Sequence, residues 1–272
     1  MTTDITPTDF AAAFPADWDV PGFRCAWFRP KSQRFALVIP VIDEGERIRG
    51  QLRRIADLDL PVDVILADGG STDGSLDPEI LAGTGVRLCL VKTGPGKLSA
   101  QLRMAYAVAL TEGYAGVVTV DGNGKDGVEA VAGMLASLED GADYVQGSRY
   151  AAGGSAENTP LARSFGNRMI HAPLLSLAGR RRLTDTTNGF RAYSARYLSD
   201  PRVKPFRDLF QAYELLFYLT VRAGQIGMDV RMIGVRRSYP ASGKTPTKIK
   251  GLRAYIDVFM QTVAAALGRY AP

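Results

Sequence analysis

Residues 117–126 read Val-Val-Thr-Val-Asp-Gly-Asn-Gly-Lys-Asp, and this stretch decides the fold prediction for the whole chain. Four β-forming residues run directly into the Asp121 carboxylate and then into a small, polar turn. Short apolar runs are typical of buried parallel strands, and open α/β sheets bind their ligands at the carboxyl ends of such strands. The sequence therefore predicts that Asp121, Asn123 and Asp126 lie together at a ligand-binding edge.

Two interpretations of this turn are open from the local sequence. Three oxygen-bearing side chains close together suit a hard cation such as Mg²⁺ or Mn²⁺, and a divalent cation in turn suits a diphosphate. Under this interpretation the metal ligands are Asp121, Asn123 and Asp126. Alternatively, the Asp and Asn side chains only cap the helix that follows the strand.

Composition and charge narrow the class of protein. The 272 residues carry a net charge of +5, which suits an anionic partner such as a nucleotide, a lipid phosphate, a membrane surface or nucleic acid. His171 is the only histidine, and Cys25 and Cys89 have no metal-binding spacing, so we expect no zinc site. No apolar run reaches the ~18 residues of a membrane span, and no signal-peptide pattern opens the chain, so we expect a cytoplasmic protein.

Strand and helix patterns alternate through the first half of the chain. Apolar runs predict strands at 34–42, 62–67, 86–91, 117–120 and 143–146, and helical spacing predicts helices at 44–56, 98–110 and 127–138. Such alternation with short links indicates a mostly parallel sheet. Polar loops should then line up along one edge of that sheet. In the second half we expect helices at 160–178 and 213–223, a polar turn at 185–191 and a strand at 228–235.

The two ends of the chain differ from this pattern. Residues 1–33 contain four prolines and scattered aromatic residues, which indicate an irregular arm. Apolar residues at helical spacing predict an amphipathic helix over 252–267, preceded by the basic residues Lys248 and Lys250. This helix either docks on the core or lies on the membrane surface with its basic residues at anionic headgroups. The domain prediction is an arm (1–33), a catalytic domain (34–240, divided at 150/151) and a tail (241–272).

Short motifs that carry polar residues occur in order along the chain, at 38–44, 68–74, 96–97, 118–123, 147–149, 185–191 and 243–244. Taken together, these motifs and their order resemble the cytoplasmic family 2 glycosyltransferases with the GT-A fold, and among them the polyprenyl-phosphate glycosyltransferases of the dolichol-phosphate mannose synthase type. The resemblance covers about Phe35 to Lys248. The fold prediction is therefore an α/β GT-A fold, with a mostly parallel, Rossmann-like sheet flanked by helices and a C-terminal amphipathic helix.

The resemblance also implies roles for individual residues. Catalytic roles would fall to Asp121, Asp185, Arg191 and Arg149. The nucleotide-sugar would be bound by Pro40, Ile42, Glu44, Asp68, Gly70, Ser71, Lys97 and Gly122, with Mg²⁺ or Mn²⁺ as cofactor. The acceptor would be bound by Arg149, Asn188, Lys244 and Lys248. The implied partners are a nucleotide-sugar donor and a lipid-phosphate or glycan acceptor. The chain could also lie on the inner membrane surface. The resemblance does not imply binding to nucleic acid.

Three positions depart from the family's pattern. Asn123 stands where the second carboxylate of the Asp-x-Asp motif is expected, Gly69 replaces a second carboxylate after the strand, and Pro240 replaces an arginine. A neutral Asn weakens metal binding unless Asp126 also reaches the ion. These departures leave a catalytically silent nucleotide-binding module open as an alternative to an enzyme.

The implied reaction is a one-step inverting transfer of a sugar from a nucleotide diphosphate. If the acceptor is a lipid phosphate, its oxygen is already anionic and Arg149 would position it. If the acceptor is a hydroxyl, a general base is required, and Asp185 is the candidate. The simpler interpretations are that Asp185 caps a turn and that Arg149 forms a surface ion pair.

Overall fold

The computed structural model describes residues 10, 13–240 and 251–272. The predicted acceptor-binding residues Lys244 and Lys248 lie outside this part of the chain. The described strands are β1 (Phe23–Phe28), β2 (Phe35–Val41), β3 (Val62–Asp68), β4 (Val86–Lys92), β5 (Gly116–Thr119), β6 (Tyr144–Ser148), β7 (Ser155–Glu157), β8 (Arg191–Ser194), β9 (Val230–Gly234) and β10 (Arg236–Ser238).

Helices separate most of these strands. They are α1 (Glu46–Asp57), α2 (Pro78–Ala82), α3 (Leu98–Thr111), α4 (Val131–Glu139), α5 (Leu161–Gly166), α6 (Ala172–Ala178), α7 (Ala195–Leu198), α8 (Glu214–Gln225) and α9 (Gly251–Ala266). A 3₁₀ turn, Val128–Ala130, precedes α4, and a π-helical turn, Asn167–His171, joins α5 to α6. The predicted helix over 160–178 is therefore helical throughout most of its length, with a wider turn at its centre.

Eight strands form one sheet in the order β1-β4-β3-β2-β5-β8-β6-β9. The strands β2, β3, β4, β5, β6 and β9 run in the same direction, whereas β1 and β8 are antiparallel to their neighbours. The mostly parallel sheet predicted from the sequence is thus confirmed. Because β8 and β9 belong to it, both predicted halves of the catalytic domain contribute to a single sheet.

The N-terminal arm differs from the irregular segment that the sequence predicted. Phe23–Phe28 pairs antiparallel with β4 and forms an edge of the sheet. Prolines 21 and 30 flank this strand, and its residues are only partly buried, so the alternation that marks a strand is weak. The pairing partner lies about 60 residues further along the chain, and a local pattern does not reveal such a contact.

A buried aspartate anchors the link between the arm and the sheet. Asp63 on β3 accepts hydrogen bonds from the backbone N–H and hydroxyl of Ser32 at 2.9 and 2.7 Å, and from the Tyr114 hydroxyl at 2.7 Å. Burial alone would raise the pKa of Asp63, but these hydrogen bonds outweigh burial and hold its pKa below the usual range. Asp63 is therefore ionised in the folded protein well below neutral pH.

Apolar layers cover both faces of the sheet. One layer contains α3 and α8, and the other contains α1 and α4. Helix α3 is buried nearly all round, from Ser99 to Ala109, because the sheet lies on one side of it and α8 on the other. The rigid sheet between these layers fixes the positions of the loops that leave its carboxyl edge.

The C-terminal helix docks on the core by one face only. On α9, Thr262 and Ala265 are buried, and the helix contacts α6 and α8. The His171 ring lies 6.4 Å from that of Phe259, and its Nδ1 lies 2.9 Å from the Thr262 hydroxyl. Other apolar side chains near the beginning of α9 stay exposed, among them Leu252 at 78%. The docking that the sequence left open is therefore confirmed for one face of this helix, and a membrane-facing role for the exposed face stays a prediction.

Candidate active site

The carboxyl ends of the central strands bring the predicted polar loops to one edge. The Gly122 N–H donates to the Pro40 carbonyl at 3.3 Å, and the Gly69 N–H donates to the Val41 carbonyl at 2.8 Å. A Cβ atom added to Gly122 would lie 3.0 Å from both Pro40 O and a Val41 methyl group. A side chain at position 122 would therefore push the Asp121 loop away from β2.

An arginine that the sequence analysis did not predict lies between the two acidic side chains of this loop. Arg237 on β10 donates from Nη2 to Asp121 Oδ2 at 2.9 Å. Its Nη1 lies 2.7 Å from each oxygen of Asp126 and 3.1 Å from Asn188 Oδ1. The Arg237 guanidinium thus connects both aspartates of the loop after β5 to the side-chain amide of Asn188, in the loop before β8.

The two aspartates differ in their exposure. The Asp126 side chain is completely buried, whereas that of Asp121 is 27% exposed. Burial raises the pKa of Asp126 to about 6, against the opposing effect of Arg237. At Asp121, burial also acts to raise the pKa, but the Arg237 guanidinium outweighs it, and the pKa lies below its usual value. The environment therefore shifts the pKa values of the two carboxyl groups in opposite directions, although both groups bind the same guanidinium.

A buried glutamine holds the backbone of the same loop. Gln51 of α1 accepts a hydrogen bond from the Gly124 N–H at 2.9 Å. Gly124 has a φ of 71°, a left-handed conformation that favours glycine. The Asn123 Nδ2 donates to Asp121 Oδ2 at 3.3 Å, and Asn123 Oδ1 accepts from the Lys125 N–H at 3.3 Å. Both ends of the Asn123 amide are thus used within the loop.

The loop before β8 approaches Asp121 closely. A Cβ atom added to Gly189 would lie 2.4 Å from Asp121 Oδ1, so glycine is required for the observed position of the carboxylate. The neighbouring Asn188, a predicted acceptor-binding residue, is buried and accepts from Arg237 and from the Phe190 N–H. Asn188 therefore supports the arginine that binds the two aspartates.

Arg149 and Asp185, both predicted as catalytic, bind each other. Arg149 donates from Nε and Nη2 to the two oxygens of Asp185, at 2.7 Å each, and from its backbone N–H at 3.0 Å. The Asp185 side chain is fully buried, and that of Arg149 is 3% exposed. Burial acts to lower the pKa of Arg149, but Asp185 outweighs it and raises the pKa. This geometry suits a carboxylate that orients a cation, and the proposed role of Asp185 as a base stays a prediction.

Arg191, another predicted catalytic residue, is buried beneath the turn that precedes β8. It is 1% exposed, and its guanidinium donates to the carbonyls of Asn188 at 2.8 Å and Thr186 at 2.6 Å, and to the Thr220 hydroxyl at 2.9 Å. These bonds tie the turn at 185–191 to α8. A catalytic role for Arg191 stays a prediction.

The first two loops of the predicted donor site are linked. The Asp68 carboxylate accepts from the Ser71 N–H at 2.9 Å and from the Ser71 hydroxyl at 2.6 Å. Ser71 in turn accepts from the Asp43 N–H at 3.0 Å, and Asp43 accepts from the Thr72 N–H at 2.8 Å. Gly70 between them has a φ of 96°, which a residue with a side chain rarely adopts.

The departure at Gly69 has a packing explanation. A Cβ atom added there would lie 3.0 Å from the Gln101 amide nitrogen. That nitrogen donates to the carbonyls of Val41 at 2.9 Å and Ala67 at 2.7 Å, which are the ends of two adjacent strands. Gln101 thus occupies the space that a carboxylate side chain at position 69 would need.

The remaining predicted donor residues lie at the rim of this edge. Ile42 is 36% exposed, and Glu44 pairs with Arg47 at 2.8 Å. Lys97 is exposed at the start of α3, where its N–H donates to the Gln211 carbonyl at 2.7 Å. The sheet order places the loop of Lys97 two strands further from β5 than the loop after β2. Lys97 is accordingly more distant from Asp121 than Pro40 is.

Positive side chains surround Tyr239, next to β10. The charged groups of Lys125, Arg163 and Arg237 lie 5.0, 5.8 and 5.9 Å from the centre of its ring. Burial would raise the pKa of Tyr239, but Arg237, Arg149, Lys125 and Arg163 together lower it below its usual value. We call Lys125, Arg149, Arg163 and Arg237 the cationic cluster. Arg237 and Arg149 are paired with Asp121, Asp126 and Asp185, so four cations face three carboxylates and one positive charge remains, which favours the binding of a phosphate group.

The three predicted metal ligands can be tested against this geometry. Both oxygens of Asp126 accept from Arg237 and are sealed from solvent, and the Asn123 amide bonds within its own loop. Within the described residues, no group of three His, Cys, Asp or Glu side chains is arranged to hold a metal ion. The side chains present therefore do not fit a three-ligand site for Mg²⁺ or Mn²⁺.

Sequence reasoning missed Arg237, Lys125 and Arg163. Lys125 lies inside the loop that follows β5, where the sequence pattern by itself predicts only a polar turn. Arg237 and Arg163 reach the site from segments that are distant along the chain, and only their places in the fold bring them to Asp121 and Tyr239.

Comparison with known proteins now identifies the class. The family model for glycosyl transferase family 2 matches residues 36–200, which is more than half of the chain. The chain therefore belongs to this family. The predicted GT-A fold is confirmed, because structural neighbours of the chain are GT-A glycosyltransferases.

Curated relatives and solved structures add detail. The chain is 29% identical over 171 residues to a polyprenol monophosphomannose synthase from Mycolicibacterium smegmatis, covering 62% of this chain and 64% of that protein. It is 30% identical over 211 residues to an undecaprenyl-phosphate mannosyltransferase from Micrococcus luteus, covering 75% and 84%. The alignment with the first of these relatives spans less than two thirds of that relative's length.

The fold is also shared with glucosyl-3-phosphoglycerate synthase from Mycobacterium tuberculosis. Its complex with Mn²⁺, UDP and phosphoglyceric acid matches with a TM-score of 0.62 at 18% identity, over 94% of this chain and 87% of the other. The complex with Mg²⁺ and UDP also matches with a TM-score of 0.62, at 19% identity, over 90% and 86%. At this identity, the likeness concerns the fold.

Proposed function

We propose that this chain transfers a sugar from a nucleotide diphosphate donor to a polyprenyl phosphate acceptor in one inverting step. The observation that carries the proposal is the cationic cluster around Tyr239, which adjoins Asp121 at the carboxyl edge of the sheet. The reaction involves two anionic groups, the leaving diphosphate and the attacking phosphate, and positive side chains stabilise both. The names of the curated relatives, which include polyprenol and undecaprenyl-phosphate transferases, support the same acceptor class.

For the donor, we propose the loops after β2, β3 and β5. The first two are joined through Asp43, Asp68 and Ser71, so they form a single preorganised surface. The other residues proposed to bind the nucleotide-sugar are Pro40, Ile42, Glu44, Gly70, Lys97 and Gly122. A cleft of about 550 Å³ borders the loop after β5, and Arg47 and Arg54 of α1 line its other side.

For the acceptor, we propose Arg149, with Arg163 beside it. An oxygen of the acceptor phosphate attacks the anomeric carbon on the face opposite the leaving group. The new carbon–oxygen bond forms as the bond to the donor diphosphate breaks, and the diphosphate leaves with the electron pair. No proton has to be removed, because the attacking oxygen is already anionic.

The Arg149–Asp185 pair favours a phosphate acceptor over a hydroxyl acceptor. A hydroxyl needs a general base, and the candidate Asp185 is fully buried with both oxygens bound by Arg149. A carboxylate held in this way orients the guanidinium, which can then present its remaining edge to a phosphate.

A divalent ion, when bound in an enzyme of this kind, neutralises charge on the leaving diphosphate. The neighbouring solved structures contain Mn²⁺ or Mg²⁺ together with UDP. In this chain the three predicted ligands do not fit such an ion, so the proposed mechanism uses side-chain cations for the same purpose.

We further propose that the chain approaches the lipid through an exposed apolar surface on α5, the adjoining π-helical turn and α9. Leu161, Phe165 and Met169 are 88%, 64% and 63% exposed and recur every four residues. On α9, Leu252 and Ile256 are also at least half exposed. Arginines 163, 168 and 253 lie among these residues in the sequence, which suits an anionic lipid surface. No helix within the described residues is long and apolar enough to cross a bilayer.

The proposal is tested by incubating the purified chain with a panel of UDP-, GDP- and CDP-sugars and a short-chain polyprenyl phosphate. We expect a polyprenyl glycosyl phosphate, detected by mass spectrometry. The anomeric configuration of its sugar should be inverted relative to the donor. The matched control acceptor is the polyprenol that lacks the phosphate. Transfer to polyprenol at an equal rate, or no transfer with any donor, would contradict the proposal.

A variant separates acceptor binding from donor binding. Arg163→Gln is expected to raise the KM for polyprenyl phosphate at least about tenfold, since a hydrogen bond to a charged group is worth about 1.5–3 kcal/mol. The KM for the donor should stay within about twofold of the wild-type value, because Arg163 belongs to the proposed acceptor side.

A further inference from the structure

Arg237 fills the space between Asp121 and Asp126, two of the three predicted metal ligands. Its guanidinium contacts Asp121 Oδ2 at 2.9 Å and both Asp126 oxygens at 2.7 Å. A backbone bridge between Asp126 and Arg237 fixes the two residues relative to each other. Since the side chain is 7% exposed, it cannot move into solvent without rearrangement of the strand that carries it.

The charges of the two aspartates after β5 are already balanced without an added ion. Asp121 and Asp126 contribute two negative charges, and Arg237 and Lys125 contribute two positive charges. Metal sites bind divalent ions because their carboxylates leave a net negative charge for the ion to neutralise. Here that neutralisation is supplied by the chain.

We propose that Arg237 and Lys125 form a built-in cationic centre that takes the place of a divalent ion, so that the donor nucleotide binds without metal. The inference rests on the proposed function of the site. Together, Arg237 and Lys125 offset the charge of the two aspartates, which would otherwise repel a diphosphate. Lys125 follows in the same loop and lines the cleft beside Asp126.

The departure at Asn123 agrees with this inference. A carboxylate at position 123 would add a third negative charge to a site with two cations, and the balance would then favour an added metal ion. The neutral amide instead donates to Asp121 at 3.3 Å. The same substitution that weakens a metal site thus suits a site balanced by side chains.

The first experiment measures nucleotide binding by isothermal titration calorimetry with UDP, GDP and CDP, in EDTA and in Mn²⁺. For wild type we expect the Kd of the preferred nucleotide to differ by less than about threefold between the two conditions, which is under 1 kcal/mol. Binding that requires Mn²⁺ and is lost in Asp121→Asn would overturn the inference alone. Absence of binding in both conditions would overturn the proposed function and the inference together.

The second experiment measures Mn²⁺ binding directly by electron paramagnetic resonance, without nucleotide. In the wild-type protein, Asp121 should not bind Mn²⁺. Arg237→Gln removes the cation that binds both aspartates, so this variant should gain an Mn²⁺ site, which Arg237→Gln/Asp121→Asn should lack. A wild-type site that Asp121→Asn abolishes, or no gain in a folded Arg237→Gln variant, would overturn the inference.

Two further variants control for folding. Arg87→Gln breaks another buried arginine–carboxylate pair, with Glu112, at the opposite edge of the sheet, and should not gain Mn²⁺ binding. Lys125→Gln leaves Arg237 and its aspartates in place. It should weaken nucleotide binding in EDTA about tenfold or more, through the loss of one charge-assisted interaction. Unchanged affinity in Lys125→Gln would contradict the part assigned to Lys125.

Discussion

Replacing Asp185 by asparagine should destabilise the protein and impair acceptor binding together. The Asp185 carboxylate accepts three hydrogen bonds from Arg149, at 2.7, 2.7 and 3.0 Å, and both side chains are almost completely removed from solvent. The asparagine side chain would keep one acceptor oxygen and turn an amide N–H₂ toward the guanidinium. The variant therefore loses charge balance and at least one charge-assisted hydrogen bond.

The expected magnitude follows from the burial of this pair. Removal of one partner of a buried ion pair costs about 3–5 kcal/mol, because the remaining charge has no compensation. In a chain of this size, 1 kcal/mol corresponds to about 2–4 °C in Tm, so the melting temperature should fall by about 6–20 °C. The surface pair Arg202–Asp200 should contribute much less, because water screens it.

The assay is thermal and chemical unfolding of wild type, Asp185→Asn, Arg149→Met and the double variant. The double variant removes both charges, and it should be more stable than the sum of the two single effects predicts by at least about 1 kcal/mol. Asp200→Asn is the matched control for the loss of a carboxylate paired with arginine on the surface.

Kinetics separate the two roles considered for Asp185. If Asp185 orients Arg149, its replacement should mainly raise the KM for the acceptor, and the pH profile of kcat should keep its shape. If Asp185 were the general base, kcat should fall by about 10²-fold or more, and the limb of the pH profile due to that base should disappear. A drop in Tm of less than about 2 °C, or a loss confined to kcat, would refute the reasoning.

Three further predictions test other parts of the molecule. Because the pKa of Asp63 is lowered in the folded state, its ionised form contributes stability above the unfolded-state pKa of about 3.9, and this contribution is lost as the pH falls through the folded-state pKa. Asp63→Asn should therefore lower Tm at pH 7, with a smaller difference from wild type near pH 3; a difference independent of pH would count against this account. Gly189→Ala should displace the Asp121 carboxylate and reduce kcat/KM about 10–100-fold with a change in Tm below about 2 °C, measured by initial rates and by melting; unchanged activity would show that the carboxylate position is not critical. Phe165→Ser combined with Ile256→Ser should reduce sedimentation with vesicles containing phosphatidylglycerol while turnover of a water-soluble acceptor analogue persists; equal sedimentation of variant and wild type would argue against the proposed lipid-facing surface.

Local sequence patterns predicted most of the central fold. The run 117–120 followed by Asp121 is typical of a buried strand, and the strand forms as β5. Short apolar runs likewise located β2, β3 and β4, because each of these strands is buried on both faces and leaves a continuous hydrophobic signal. Because these strands are parallel, the polar loops that follow them must all lie at the carboxyl edge of the sheet.

Edge elements were harder to predict, for a physical reason. Strand β1 pairs only with β4 and is half-exposed, so its composition satisfies neither a buried nor a clearly alternating pattern. For this reason, the interpretation of 1–33 as an irregular arm was wrong for Phe23–Phe28. Strand β1 is stabilised by pairing with β4, which is distant along the chain and does not show in the local sequence.

The sequence by itself determined which residue types gather at the edge of the sheet, because a strand's carboxyl end and its following turn are adjacent along the chain. Only the tertiary structure decided which cation reaches them. Arg236 and Arg237 are neighbours on β10, and their side chains point to opposite sides of the strand. The register with β7 directs Arg236 outward to Glu157 and Arg237 inward to Asp121 and Asp126. A shift of one residue would exchange the two arginines, and nothing in the local sequence distinguishes them.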